Sequence, residues 1–260
     1  MKKILVLAVL IISILGGCYT FTVEKTEDTE IEKVISPKKI QFPSIDGLLI
    51  DALVYEIDKD APVILLCHQA RFNKYEYEGI AEKLNERGFN CIAIDQRSGG
   101  SIVTSVNETT LRALAQAKPI DYLDAEQDIL AAINYASKKY NKPIILWGSS
   151  YSSTLALYFG IQNKDVSAVV SFSPGNYFAE QKGNLTELLR DFEKPMFITS
   201  SNSEIKYVDE LLKNHKLNDN QVHFKPAGAG HHGSRALWNQ QTGGEEYWKA
   251  VDAFLINIKQ

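Results

Sequence analysis

The chain of 260 residues has only three cysteines, at positions 18, 67 and 91. No two are spaced as Cys-x-x-Cys, and no two of its five histidines are spaced as His-x-x-x-His, so no metal-binding pattern is present and no metal is expected. The chain also lacks an excess of either charge. Its 28 Lys and Arg against 32 Asp and Glu leave a net charge of −4, with no basic stripe, which argues against nucleic acid as a partner. There is no internal repeat and no long low-complexity tract. What remains is the composition of a globular protein, 45% hydrophobic and 10% aromatic, long enough for one large domain or two small ones.

The first residues stand apart. Met1-Lys2-Lys3 is basic, residues 4–15 are a continuous apolar run, and Leu15-Gly16-Gly17-Cys18 closes it. Such a run is short for a membrane span and suits a signal peptide. Small residues directly before a cysteine resemble a bacterial lipoprotein cleavage box. The expectation is therefore a signal peptide over 1–17, a lipid on Cys18, and a cell-envelope protein tethered to a membrane surface by that lipid. Residues 18–33, rich in acidic side chains, read as a polar tether, and 34–260 as one domain.

Within that domain, apolar strand-like runs alternate with helical patterns. Residues 39–42 and 48–57 flank Ser44-Ile45-Asp46-Gly47 and predict a β-hairpin. Strands are then expected over 62–66, 89–94, 144–147, 167–172, 195–199 and 221–225. Helices are expected over 75–87, 124–140, 154–161, 185–192, 205–215 and 245–258. The 101–122 segment is the least regular and is a candidate for the pocket rim. Alternation of this kind predicts an α/β fold with a mostly parallel sheet of about seven or eight strands and helices on both faces. Active sites of such sheets lie beyond the carboxyl ends of the strands. Cys67 and Cys91 fall inside strand-like runs and read as buried free thiols, with a disulfide geometrically demanding.

The chemistry gathers after one strand. Gly148-Ser149-Ser150-Tyr151-Ser152 joins an apolar strand to an apolar helix, the layout of a nucleophile elbow, Gly-x-Ser-x-Gly, with Ser152 in the last glycine's place. A serine hydroxyl is a weak nucleophile and needs an adjacent base. The four serines at 149, 150, 152 and 153 are also good helix starters, so the motif alone carries little. Its partners raise it. A histidine is expected after the last strand, where His232 precedes Gly233 and His231 is the alternate. The orienting acid is expected after the strand at 195–199, where Glu204 leads and Asp209 is the alternate. The oxyanion donors are the Tyr151 N–H and an N–H of Ala70, with Gln69 as alternate. Asp95 and Arg97 are read as an internal ion pair at the floor of the site.

His68-Gln69-Ala70, Asp95-Gln96-Arg97-Ser98-Gly99-Gly100, the elbow at Ser150 and His232-Gly233 together resemble the α/β-hydrolase superfamily, and within it the dienelactone-hydrolase-like esterases. The likeness covers roughly residues 39–258. It implies an α/β-hydrolase fold without a large cap domain, and a serine hydrolase acting on small-molecule esters through an acyl-enzyme without a cofactor. Ser150 stands where dienelactone hydrolases proper carry cysteine, which makes dienelactone itself a doubtful substrate. A peptidase or acyltransferase of the same fold, and a non-catalytic binding lipoprotein that retains it, are the alternatives.

Overall fold

Eight strands form one sheet in the order β1-β2-β4-β3-β5-β6-β7-β8. A computed structural model describes residues 36–102 and 104–259. The signal peptide, the tether and Cys18 lie outside the described residues. Strands β1 (Lys38–Pro43) and β2 (Leu49–Tyr55) are the antiparallel hairpin that Asp46-Gly47 predicts. Strand β2 also runs antiparallel to β4 (Asn90–Ile94). From there β3 (Val63–Cys67), β5 (Ile144–Ser149), β6 (Val166–Phe172), β7 (Met196–Thr199) and β8 (Gln221–Phe224) continue the sheet in parallel.

Side chains alternate between two cores because successive residues of a strand point to opposite faces. Val63, Leu65 and Cys67 face one, Ile64 and Leu66 the other. On the first face lie α3 (Ala125–Tyr140), α4 (Tyr151–Gln162) and α7 (Ile205–Leu212). On the second lie α1 (Ile80–Glu86) and α8 (Gly244–Lys259). Helix α4 is buried from Tyr151 through Gly160, as its all-round apolar sequence requires. No helix among the described residues is long and apolar enough to cross a membrane.

The sheet order places the site. The connection after β3 leads to β4 on one side, and the connection after β5 leads to β6 on the other. The crevice between the carboxyl ends of β3 and β5 is thus the topological switch point, where ligands bind in open α/β sheets. Between β6 and β7 the chain makes only two single-turn helices, α5 (Ala179–Lys182) and α6 (Leu185–Leu188), so no cap domain is present among the described residues.

Three expectations are corrected. The helix expected over 75–87 breaks: a 3-10 turn, Lys74–Tyr77, precedes α1, with Gly79 at φ +75° between them. Asp95 holds that turn, accepting from Lys74 N–H at 2.7 Å and from its ammonium at 2.8 Å. Asp95 and Arg97 do not pair with each other. The Arg97 guanidinium, fully buried, instead donates to Asp128 on α3 at 2.7 Å and to Asp46 at 2.9 Å. The 101–122 segment, the least regular in sequence, is tied to the turns after β3 and β4. It contains α2 (Glu108–Ala115), and Asn107 bonds the His68 ring and the Gln96 carbonyl. The helix expected over 185–192 shrinks to the single turn of α6, with the extra turn of α5 ahead of it. Cys67 and Cys91 sit on neighbouring strands but project into opposite cores, and both are free, buried thiols.

Candidate active site

The turn out of β5 carries backbone strain. Ser150 has φ +58° and ψ −124°, a region that side-chain-bearing residues rarely occupy. The turn is held from several sides. Ser150 N–H donates to Phe172 O at 2.8 Å, and Ser150 O accepts from Ser153 N–H and Ser153 O–H. Gly148 is required, since a Cβ there would stand 2.4 Å from the backbone of residues 152 and 153. Ser152 fills the position where glycine was expected and uses its hydroxyl. It accepts from Ser149 N–H at 2.9 Å and donates to Cys67 O at 2.7 Å, tying the elbow to β3.

Ser150 Oγ lies 2.8 Å from His232 Nε2, and His232 Nδ1 lies 2.5 Å from Glu204 Oε1. With Nδ1–H donated to the carboxylate, Nε2 is the acceptor for the serine proton. His232 arrives on the loop after β8. Gly233 follows it at φ +71°, where its N–H donates to Ser173 Oγ and a Cβ would stand 2.5 Å from Ser149 Oγ.

Glu204 arrives on the 3-10 turn after β7. Its second oxygen, Oε2, accepts from Ser201 O–H at 2.7 Å, Ser173 O–H at 2.9 Å and Ser201 N–H at 3.2 Å. Ser201 and Glu204 form a capping box, so one carboxylate caps the turn and orients the imidazole. Burial raises its pKa, but the hydrogen bonds from His232 and Ser201, the histidine charge and Ser173 outweigh burial and hold it down at about 2.

The N–H groups of Tyr151, at the start of α4, and of Ala70, after β3, donate to no described protein group. The alternate, Gln69, is taken: its N–H donates to Glu76 Oε2 at 2.7 Å. The structure also leaves the other alternates aside. Asp209 pairs with Lys225 and stands near His223. His231 lines a cavity of about 610 Å³ beside His232, together with residues 201–203, the loop 227–230 and Arg235. That cavity flanks the imidazole; from the 101–122 segment, Tyr122 packs on Tyr151 with ring centroids 4.8 Å apart and planes tilted by 31°. His68 is buried and structural, its ring held between Gln69 O and Asn107, with burial pushing its pKa down to about 4. Among the described residues no cluster of His, Cys, Asp or Glu could hold a metal ion.

Residues 62–252 match the family described as alpha/beta hydrolase fold. The chain belongs to the α/β-hydrolase fold family. Its fold is dienelactone-hydrolase-like, as the solved structures show. An esterase of Pyrococcus furiosus is 18% identical with a TM-score of 0.65, over 86% of this chain and 93% of that one. A dienelactone hydrolase of Anabaena variabilis is 13% identical with a TM-score of 0.62, over 85% and 98%. An acylaminoacyl peptidase of Pyrococcus horikoshii is 17% identical with a TM-score of 0.59, over 84% of this chain and 41% of that one. No match was found among curated proteins.

Proposed function

We propose that this α/β-hydrolase is a serine hydrolase that cleaves carboxylic esters through an acyl-enzyme. The observation that carries the reading is the unbroken run Glu204–His232–Ser150 at 2.5 and 2.8 Å, ending on a strained serine at a helix start. Ser150 Oγ attacks the ester carbonyl as its proton passes to His232 Nε2. The carbonyl oxygen becomes an oxyanion and accepts from the Tyr151 and Ala70 N–H groups. Collapse breaks the ester C–O bond, and His232 returns the proton to the departing alcohol. Water, deprotonated by the same imidazole, then releases the acid and restores Ser150. Glu204 remains a carboxylate throughout and stabilises the imidazolium, in keeping with its depressed pKa.

The test is labelling with a fluorophosphonate, mapped by mass spectrometry, alongside turnover of p-nitrophenyl acetate. An adduct on Ser150 is expected. Ser150→Ala should lose the adduct and on the order of 10⁶ in kcat, the scale seen when a catalytic serine is removed. Turnover by Ser150→Ala at the wild-type rate would sink the reading. The envelope location is a separate proposal resting on the Cys18 sequence. The mass of the mature N-terminal peptide checks it, a diacylglyceryl-modified Cys18 being the expected product.

A further inference from the structure

Beneath the elbow lies a second glutamate that the reaction above does not use. Glu76, in the 3-10 turn before α1, is fully buried, out of reach of any substrate. Each of its oxygens meets a different part of the site. Oε2 accepts from Gln69 N–H at 2.7 Å, in the loop that also carries the Ala70 N–H. Oε1 accepts from Ser149 O–H at 2.6 Å, the residue before Ser150. Ser149 Oγ in turn accepts from Ser234 N–H at 2.8 Å, two residues beyond His232. A Cβ at Gly233 would stand only 2.5 Å from the same atom.

We propose that Glu76, as a carboxylate, is a positioning residue that locks the oxyanion loop, the nucleophile turn and the histidine loop into one geometry. The inference rests on the hydrolase reading above. Both oxygens of Glu76 are placed to accept, which suits the charged form. Ser149 Oγ receives the Ser234 N–H and has Glu76 as acceptor for its own proton, and the other carboxylate oxygen is occupied by Gln69. A protonated Glu76 would have to turn Ser149 around or leave its own O–H without an acceptor.

The surroundings make that charge conditional. The cationic or cationisable groups that face Glu76 are His232 and Arg235, both from the loop after β8, and neither forms an ion pair with it. Tyr77, beside it, and Cys67, on β3, are neutral, their pKa values pushed well up by burial, and His68 is held neutral as well. Burial therefore dominates and raises the Glu76 pKa to about 7. As pH falls through that value the carboxylate is lost, and with it the pairing that holds the three loops.

Glu76→Gln in the full chain tests this, since the amide fills the same space but cannot accept on both arms. Its kcat for p-nitrophenyl acetate should fall about tenfold, with KM within about twofold of wild type, the pattern of an interaction felt at the transition state. The acid limb of kcat/KM against pH should lose one ionisation. Ser149→Ala provides a second probe, because removing one donor to the carboxylate should shift the Glu76 step of the acid limb to higher pH. Unchanged kcat and unchanged acid limbs in the variants would overturn the proposal. Should Glu76→Gln show no cooperative melt, Ser149→Ala decides alone. Failure of the hydrolase reading looks different: a folded wild type that neither labels at Ser150 nor turns over ester, in which case this inference falls with it.

Discussion

Glu204, in the turn after β7, and Glu76, in the turn after β3, are carboxylates of one site under opposite electrostatic control. Glu204 is half-buried and accepts from His232, from Ser173 and twice from Ser201, which brings its pKa down to about 2. Glu76 is fully buried and accepts short hydrogen bonds from Gln69 and Ser149 only, and its pKa rises to about 7. Burial opposes ionisation in both. The number of donors, and a histidine in direct contact, decide which carboxylate stays charged at every working pH and which one titrates.

The sharpest way to break the comparison is to neutralise Glu204. Glu204→Gln keeps the shape but offers His232 the wrong partner, and kcat should drop by about 10⁴, the scale of the corresponding change in a Ser-His-Asp triad. A loss of about tenfold, equal to that expected for Glu76→Gln, would make the two glutamates equivalent and end the distinction. Steady-state kinetics on the two variants side by side gives the answer.

Stability should separate them by sign. The Glu76 pKa in the folded state lies above its ordinary 4.5, so its contribution is fully present below about pH 4.5 and is lost as pH rises through about 7. The difference amounts to about 3 kcal/mol between those limits. Glu204 is the reverse: its contribution is present above 4.5 and is lost as pH falls towards about 2. Thermal melts from pH 4.5 to 8 should thus show the Tm of wild type falling relative to that of Glu76→Gln as pH rises, His68 contributing equally to both. Parallel curves for the two proteins would contradict the assignment.

The smallest effect is expected at Ser173, whose hydroxyl donates to Glu204 and accepts from Gly233 N–H. Ser173→Ala removes one donor from the crowded carboxylate. A hydrogen bond to a charged group contributes about 1.5 kcal/mol or more, so kcat should fall about tenfold. An unaltered kcat would mean that Glu204 has donors to spare.

These two glutamates also mark what the sequence makes legible. The strand-helix alternation, the hairpin at Asp46-Gly47 and the elbow rest on local pattern, and the structure has them within a few residues of where that pattern puts them. Glu204 is legible for a local reason too, because Ser201-x-x-Glu204 is a capping box as well as an acid in the right loop. Glu76 is not. Its partner Ser149 meets it only because β3 and β5 are neighbours in the sheet, Gln69 reaches it from seven residues earlier in the chain, and from sequence it was one polar position in a helical pattern. Ser173 escapes notice for the same reason, its acceptor lying 31 residues on. Asp95 and Arg97 misled by being close in sequence. Each found its partner, Lys74 or Asp128, from another part of the chain.

The sheet's outermost strands have a bearing on colloidal behaviour. An exposed edge is a template on which another chain can add a strand. Here β1 opens on Lys38-Lys39 and closes at Pro43, while β8 is only four residues long and is followed at once by Lys225-Pro226. Lysines at an edge repel a matching edge, proline removes a donor, and a short strand offers few pairing sites. Sheet-to-sheet association between copies is discouraged at both ends, which leaves the folded domain poorly disposed to seed fibrous aggregates.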